Sequence, residues 1–263
     1  MSYVAWLWDE IVEDITEAGE RLASVAARPG SAGNISVFVP SLSCSLEPAE
    51  RIELPAPAPS LAGGWVVITA AGDRLRDLAR RPAEAIVALH IHLSGETATM
   101  HAARGIRPSS EWGSHLAIHE DHRNRSGVDH HAVLHAQPMR LVFLSHLPEI
   151  STTEELNERL MRWEPETAAI AHEDVELAVF HEPGSEGRTH GTVEALAHSN
   201  AVLWAKHGIV ARSDASATEA ADLIEYLEAA AAYEVMNLSI GSLAPGLDHE
   251  ERAAVAHSLR VGA

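Results

Sequence analysis

Positive charge is scarce in this chain and lysine is almost missing. Lys206 is the single lysine, and Asp plus Glu outnumber Lys plus Arg by 38 to 19, for a formal net charge of -19. That balance argues against neutralising a polyanion, so neither nucleic acid nor an acidic membrane surface is expected as a partner. An anionic small molecule remains compatible with it if backbone amides and hydroxyls supply the attraction locally. Cysteine is equally rare, and with Cys44 alone no internal disulfide framework can form. No basic start followed by a long apolar run marks a signal peptide or a membrane span, so a cytoplasmic protein is expected.

What is present suffices for one sizeable core. At 263 residues and 46% hydrophobic composition, a single domain over residues 1–263 is more economical than two small ones. Histidine is abundant, with 17 in the chain. Most are expected at the surface, and weight falls on those whose spacing imposes a geometry.

Residues 2–28 read as an amphipathic helix, with Val4, Leu7, Ile11, Ile15, Leu22 and Val25 at helical spacing and "ARPGSAGN" ending it. Strand-like runs follow in "NISVFVP", "RIELP", "GWVVITAAG" and "AIVALHIHL", separated by turn-forming clusters that suit antiparallel connections. The segment "PAPAPSLAGG" is a loop or stiff connector within this sheet. The pattern turns helical at "SEWGSHLAIHEDHRN" and returns to a strand in "HAVLHA", with another helix starting near Pro138. A helix in "TTEELNERLMRW", a strand in "VELAVF" and a helix near residues 190–198 come next. "NAVLWAKHGIVARS" reads as strand, tight turn at "HG", strand, and Ser216 to Leu238 as a long alanine-rich helix. The expected class is α/β: three α/β/α layers around a central, mostly antiparallel sheet.

Chemistry concentrates at a few strand ends. In "AVLHAQP", His135 and Gln137 stand two residues apart, which in a strand puts both side chains on one face roughly 6 to 7 Å apart along the chain. The pair looks like half of a metal site with one ligand changed. The bland alternative is a strand-end histidine beside a solvent-facing glutamine. His207 in "AKHGI" is a second strand-end histidine. A catalytic ion needs three protein ligands and an open position; the third would be Gln137 through its carbonyl oxygen, a harder donor that weakens the preference for zinc over manganese, cobalt or magnesium. The competing pair, His90 and His92 in "HIH", is read as a histidine ladder packed against neighbouring strands, metal binding being the lesser alternative. Lys206 invites a Schiff-base reading. It precedes His207 in what reads as a strand, so the two face opposite ways and a structural role is favoured. "RPSSEW" places Ser109, Ser110 and Glu111 at a helix start, where free N–H groups suit a phosphate and where an ordinary serine cap is the commoner reading. The turns "GSAGNIS" and "TAAG" offer further amide donors at Gly33, Asn34 and Gly72.

Taken in order, "GSAGNIS", "VVITAAG", "PSSEWGSH", "AVLHAQP" and "NAVLWAKHGIVARS" resemble the class II aldolase/adducin family over about residues 10 to 240. The resemblance implies phosphate binding by Asn34, Gly72, Ser109 and Ser110, an acid/base role for Glu111, and metal ligation by His135 and His207. The family usually has histidine where Gln137 stands and a hydroxyl residue near Ala71. Zinc is therefore the first expectation for the ion, one per subunit, with manganese, cobalt and magnesium as alternatives. "RWEPETAAIAHEDVELAVF" is similar to a segment of the rhamnulose-1-phosphate aldolase branch, where it would make Glu164 a second catalytic carboxylate; an exposed glutamate near a helix end is the plain alternative. Glutamate rather than aspartate at 111 points away from the pentose-phosphate 4-epimerases.

The implied activity is cleavage of a ketose 1-phosphate to dihydroxyacetone phosphate and an aldehyde through a metal-stabilised enediolate. Dehydration or decarboxylation of a sugar phosphate or sugar acid on the same site is the alternative. A non-catalytic adducin-like binding module is the rival of another class. The family also implies a homotetramer with sites between subunits.

Overall fold

A computed structural model of the chain describes residues 5–25, 30, 32–171, 174–182, 185–248 and 250–255. The chain opens with β1 (Trp6–Leu7) and α1 (Trp8–Ser24), whose buried stripe of Ile11, Ile15 and Leu22 repeats at helical spacing. The helix expected over residues 2–28 is thus shorter. Trp6 and Leu7 pair in parallel with Leu42 and Ser43, and residues 2–4 and 26–28 lie outside the described residues. Next come β2 (Asn34–Val39), β3 (Leu42–Ser43), β4 (Pro48–Glu53), β5 (Trp65–Thr69), α2 (Pro82–Ala85), β6 (Ile86–Ile91) and β7 (Thr97–His101). The second half holds α3 (Trp112–Ser126), β8 (His131–Ala136), α4 (Met139–Leu144), α5 (Thr153–Leu160), α6 (Pro165–Ile170), β9 (Glu176–Ala178), α7 (Glu186–Leu196), β10 (Ala201–Trp204), β11 (Gly208–Ser213) and α8 (Ala217–Ser239). The helix expected near residues 190–198 starts earlier, because the Ser185 hydroxyl accepts the Arg188 amide and caps it.

Nine strands form one sheet in the order β4-β7-β6-β5-β2-β8-β11-β10-β9. Every pairing is antiparallel except β10 with β9, and helices cover both faces, so the α/β class holds. Alternation along the strands sorts the faces. Ile35 and Val37 of β2 and Ala132, Leu134 and Ala136 of β8 join α1 and α8 in the larger core. Their neighbours Asn34, Ser36, His131 and His135 are on the opposite face, where α3 packs. Among the described residues no helix is long and apolar enough to cross a membrane.

That second face overturns one expectation. His115, His119, His122, His130, His131 and His135 are all buried, and among the described histidines His146, His190 and His198 alone are exposed. The histidines are not mainly a surface population, because α3 turns its His115, His119 and His122 toward the polar row of β2 and β8.

Candidate active site

Backbone contacts bring three chain segments to one end of β8. Asn34 is in register with His135, so the start of β2 faces the end of β8. Beyond β8, α8 fixes the exit: Glu228 accepts the Arg140 and Leu141 amides at 3.2 and 2.9 Å, satisfying free donors at the start of α4. The third segment is the turn carrying His207. It was expected to continue a strand through Lys206, but β10 ends at Trp204 and β11 begins at Gly208. Lys206 takes a left-handed φ of 63°, rare for a residue with a side chain, and its amide donates to Ser145 Oγ at 2.7 Å. Lys206 is exposed. Its part is to shape the turn through its backbone, and the strand-alternation argument for it does not apply.

Gly208 explains how the two imidazoles approach. A Cβ built there would lie 2.5 Å from the Ala136 carbonyl and 2.8 Å from His135 Nε2, so glycine lets β11 close against the end of β8. The rings of His135 and His207 then lie nearly parallel, with centroids 5.3 Å apart.

Glu111, at the start of α3, is the hub. Its Oε2 accepts from Asn34 Nδ2 at 2.8 Å and lies 2.6 Å from His135 Nδ1, while Oε1 accepts from Arg188 at 2.8 Å. Burial by itself would push this carboxyl up, but the hydrogen bond and charge of His135, followed by Asn34 and His115, hold it well below the usual carboxylate range. Burial pushes His207 down to about 4, helped by His135 and Arg188 and opposed by Glu111, so His207 is a neutral imidazole near pH 7.

Arg188 is not marked by any local sequence pattern. It is 3% exposed, pairs with Glu111, and lies over Trp204 with the guanidinium carbon 4.3 Å from the ring centroid. Trp204 is held in turn by a 2.8 Å bond from its Nε1 to Thr192 Oγ1, and it packs against His135. A lone arginine in a short helix has no local pattern that reveals such partners.

The residues present fit a divalent ion. His135 commits Nδ1 to Glu111, and its Nε2 is buried with no hydrogen-bond partner; His207 Nε2 is likewise buried and unpartnered. One donor atom each from Glu111, His135 and His207 lie within 4.8 Å of one another. An imidazole with one nitrogen tied to a carboxylate and the other free is the usual arrangement of a metal-bound histidine.

A cavity of about 220 Å³ gathers most of the expected site: Gly33, Asn34, Gly72, Ser109, Ser110, Glu111, His135, Gln137 and His207 all line it. Gly33 and Gly72 both have left-handed φ, 91° and 80°, which suits turns that present amides to a ligand. Glu164 is not brought to this cavity by its own chain. It stands at the start of α6 with Oε2 buried and unpartnered, and burial followed by the charge of Glu166 raises its carboxyl. His90 and His92 stay apart from the site. His90 stacks on Trp65 with centroids 4.5 Å apart, and both nitrogens of His92 bond threonine hydroxyls, as a packed ladder requires.

Known proteins resemble this chain in sequence and fold. A family model described as the Class II Aldolase and Adducin N-terminal domain matches residues 13–235. Rhamnulose-1-phosphate aldolase of Yersinia pseudotuberculosis is 28% identical over 236 residues, which cover 85% of this chain and 84% of that protein. The crystal structure of a sugar-phosphate aldolase from Thermotoga maritima matches with a TM-score of 0.77 at 30% identity, covering 89% of this chain and 97% of the other. An L-fuculose-1-phosphate aldolase from Thermus thermophilus shares the fold at 19% identity and a TM-score of 0.56, over 91% of this chain and all (100%) of the other. The chain belongs to the class II aldolase and adducin family.

Proposed function

We propose that this protein is a divalent-metal-dependent aldolase that cleaves a ketose 1-phosphate to dihydroxyacetone phosphate and an aldehyde. The observation that carries the reading is the meeting of Glu111 with two unpartnered imidazole nitrogens in a cavity whose other wall is made of glycine turns and serine hydroxyls. His135 and His207 would hold the ion, with Gln137 as a third, neutral donor. Zinc is the first choice, and the hard carbonyl oxygen keeps manganese, cobalt and magnesium in contention. When bound, the ion supplies Lewis-acid stabilisation of the negative charge that develops as the carbon–carbon bond breaks.

The rest is work for the chain. Amides at Gly33 and Gly72, the Asn34 side chain and the hydroxyls of Ser109 and Ser110 hold the phosphate, which the overall negative charge would otherwise repel. Glu111 moves the proton at its Oε2. To accept one near neutral pH it must first lose the contact with His135 Nδ1 that keeps it ionised. Arg188 keeps the other carboxylate oxygen oriented. Glu164 belongs to this proposal as a second proton carrier only across an assembly, since it does not line its own chain's cavity. A homotetramer fits the exposed apolar side chains of Met139 and Phe143 on α4 and of Tyr233 and Met236 on α8, two helices that pack together, and a cytoplasmic location belongs to the same proposal.

Product analysis on a panel of ketose 1-phosphates tests the reading. Release of dihydroxyacetone phosphate with an equimolar aldehyde supports it. Loss of water or evolution of carbon dioxide without carbon–carbon cleavage into two such fragments replaces it with dehydration or decarboxylation.

A further inference from the structure

A row of buried polar groups leaves Glu111 and runs between α3 and the sheet, and its chemistry fixes the direction of every link. A carboxylate only accepts, so the Asn34 amide must turn its Nδ2 to Glu111 and its Oδ1 to His115. His115 therefore donates from Nε2. Burial keeps that ring neutral, and its Nδ1 accepts the Ser36 hydroxyl at 2.6 Å. The Ser36 oxygen in turn accepts from His119 Nε2 at 2.8 Å, which leaves His119 Nδ1 to accept from His131 Nδ1, also at 2.8 Å. His131 ends the row with its proton on Nδ1 and a bare lone pair on Nε2. That nitrogen is buried, 1% of the residue being exposed, and has no hydrogen-bond partner.

A second orphan stands beside it. The His122 ring stacks on His131 with centroids 4.2 Å apart, and its Nε2 donates to Asp214 Oδ1 at 2.7 Å. Its Nδ1 is buried without a partner as well. Two unpartnered imidazole nitrogens, on stacked rings one of which also bonds a carboxylate, leave polar groups unsatisfied in the interior, which is costly unless something binds them. One donor atom each from His122, His131 and Asp214 lie within 4.8 Å of one another, and the exposed Asp214 opens the cluster to solvent.

We propose that His122, His131 and Asp214 form a second divalent-cation site of the zinc class, separate from the Glu111 cavity. Two nitrogens and one carboxylate oxygen match zinc's ligand preferences, and water completes the shell on the Asp214 side. The ion would tie α3, β8 and the segment between β11 and α8 together. Its competitors for the Asp214 carboxylate are His122 Nε2, 2.7 Å from Oδ1, and Arg212, whose guanidinium lies 3.9 Å from Oδ1, whereas His130 Nδ1 bonds the Asp214 backbone carbonyl at 3.2 Å. The row back to Glu111 plays the outer-shell part, because it forces the proton of His131 onto Nδ1 and keeps Nε2 free.

The test is metal stoichiometry of the full chain, stripped with a chelator, reloaded with zinc buffered by a competing chelator, and assayed by elemental analysis. The wild type is expected to bind two ions per chain, Asp214→Ala one, His207→Ala one, and the double variant none. Because Asp214 is exposed, its variant should keep the wild-type circular dichroism. Cobalt loaded into His207→Ala should show visible bands that disappear when Asp214→Ala is added. One ion in the wild type with no change in Asp214→Ala overturns the second site, as does complete loss of binding in His207→Ala. If His207→Ala leaves the count at two while Asp214→Ala lowers it, the reading of the Glu111 cavity fails and the second site stands.

Discussion

His135 Nδ1 and Glu111 Oε2 are 2.6 Å apart, joining the end of β8 to the start of α3. One contact thereby fixes the tautomer of the imidazole, leaves its Nε2 for an ion, and keeps the carboxylate ionised until the contact is released. Glu111→Gln keeps an acceptor oxygen for His135 but cannot carry the proton. The expected result is retained metal content and a fall in kcat of about 10²- to 10⁴-fold, the usual worth of a positioned acid or base. Metal analysis beside steady-state kinetics checks it; near-normal turnover contradicts it.

Arg188 and Glu111 form a pair in which the arginine is almost wholly enclosed. Arg188→Met fits beside Trp204 but leaves Glu111 Oε1 without its donor. Breaking a buried pair by removing one partner costs about 3 kcal/mol. Urea unfolding of the single variants and of Arg188→Met with Glu111→Gln gives the coupling, which is expected to be non-additive. Additive effects would show that the pair contributes little.

Gly208→Ala places a methyl group against the Ala136 carbonyl and His135 Nε2. The β8–β11 contact must open, at about 1 to 3 kcal/mol for such overpacking. Metal affinity is expected to fall more than in a substitution at exposed Lys206, and a chelator-competition titration of both variants measures the difference.

The buried histidines make the chain acid-sensitive. His115 has its pKa lowered from 6.5 to about 4, chiefly by burial, with Glu111 opposing and His135 reinforcing the shift. Between those two values the unfolded chain binds the proton and the folded chain does not, so stability present above pH 6.5 is lost as pH falls toward 4. For His115 alone the loss is about 3 kcal/mol. His119 and His131, whose pKa values burial also lowers, act in the same direction. Urea midpoints across this range should decline, and His115→Gln, which can serve Asn34 and Ser36 without titrating, should flatten the decline by about one proton.

Much of the site was legible in the sequence, because the parts that carry it are local. The i, i+2 pair His135 and Gln137 before a proline, the glycine turns at Gly33 and Gly72, and Ser109, Ser110 and Glu111 at a helix start each impose a geometry on their neighbours. Long-range parts were not legible. Arg188 meets Glu111 from 77 positions away, and nothing in the helix that carries it marks the encounter. Lys206 reads as strand because its left-handed backbone belongs to a residue type that gives no such signal. The burial of the α3 histidines goes against the expectation that most histidines lie at the surface, and hydrophobic periodicity does not reveal it because it counts imidazole as polar. Their spacing at 115, 119 and 122 places them on one helix face, and the matching polar positions of β2 and β8 could have shown that the face was buried.

The most direct test is the rate of dihydroxyacetone phosphate release from a cleaved ketose 1-phosphate, measured on wild type and His207→Ala before chelation, after chelation and after zinc or manganese is restored. Loss of activity on chelation with recovery on reloading in the wild type, and no recovery in His207→Ala, is the predicted result. Undiminished cleavage by the metal-stripped wild type would contradict the account.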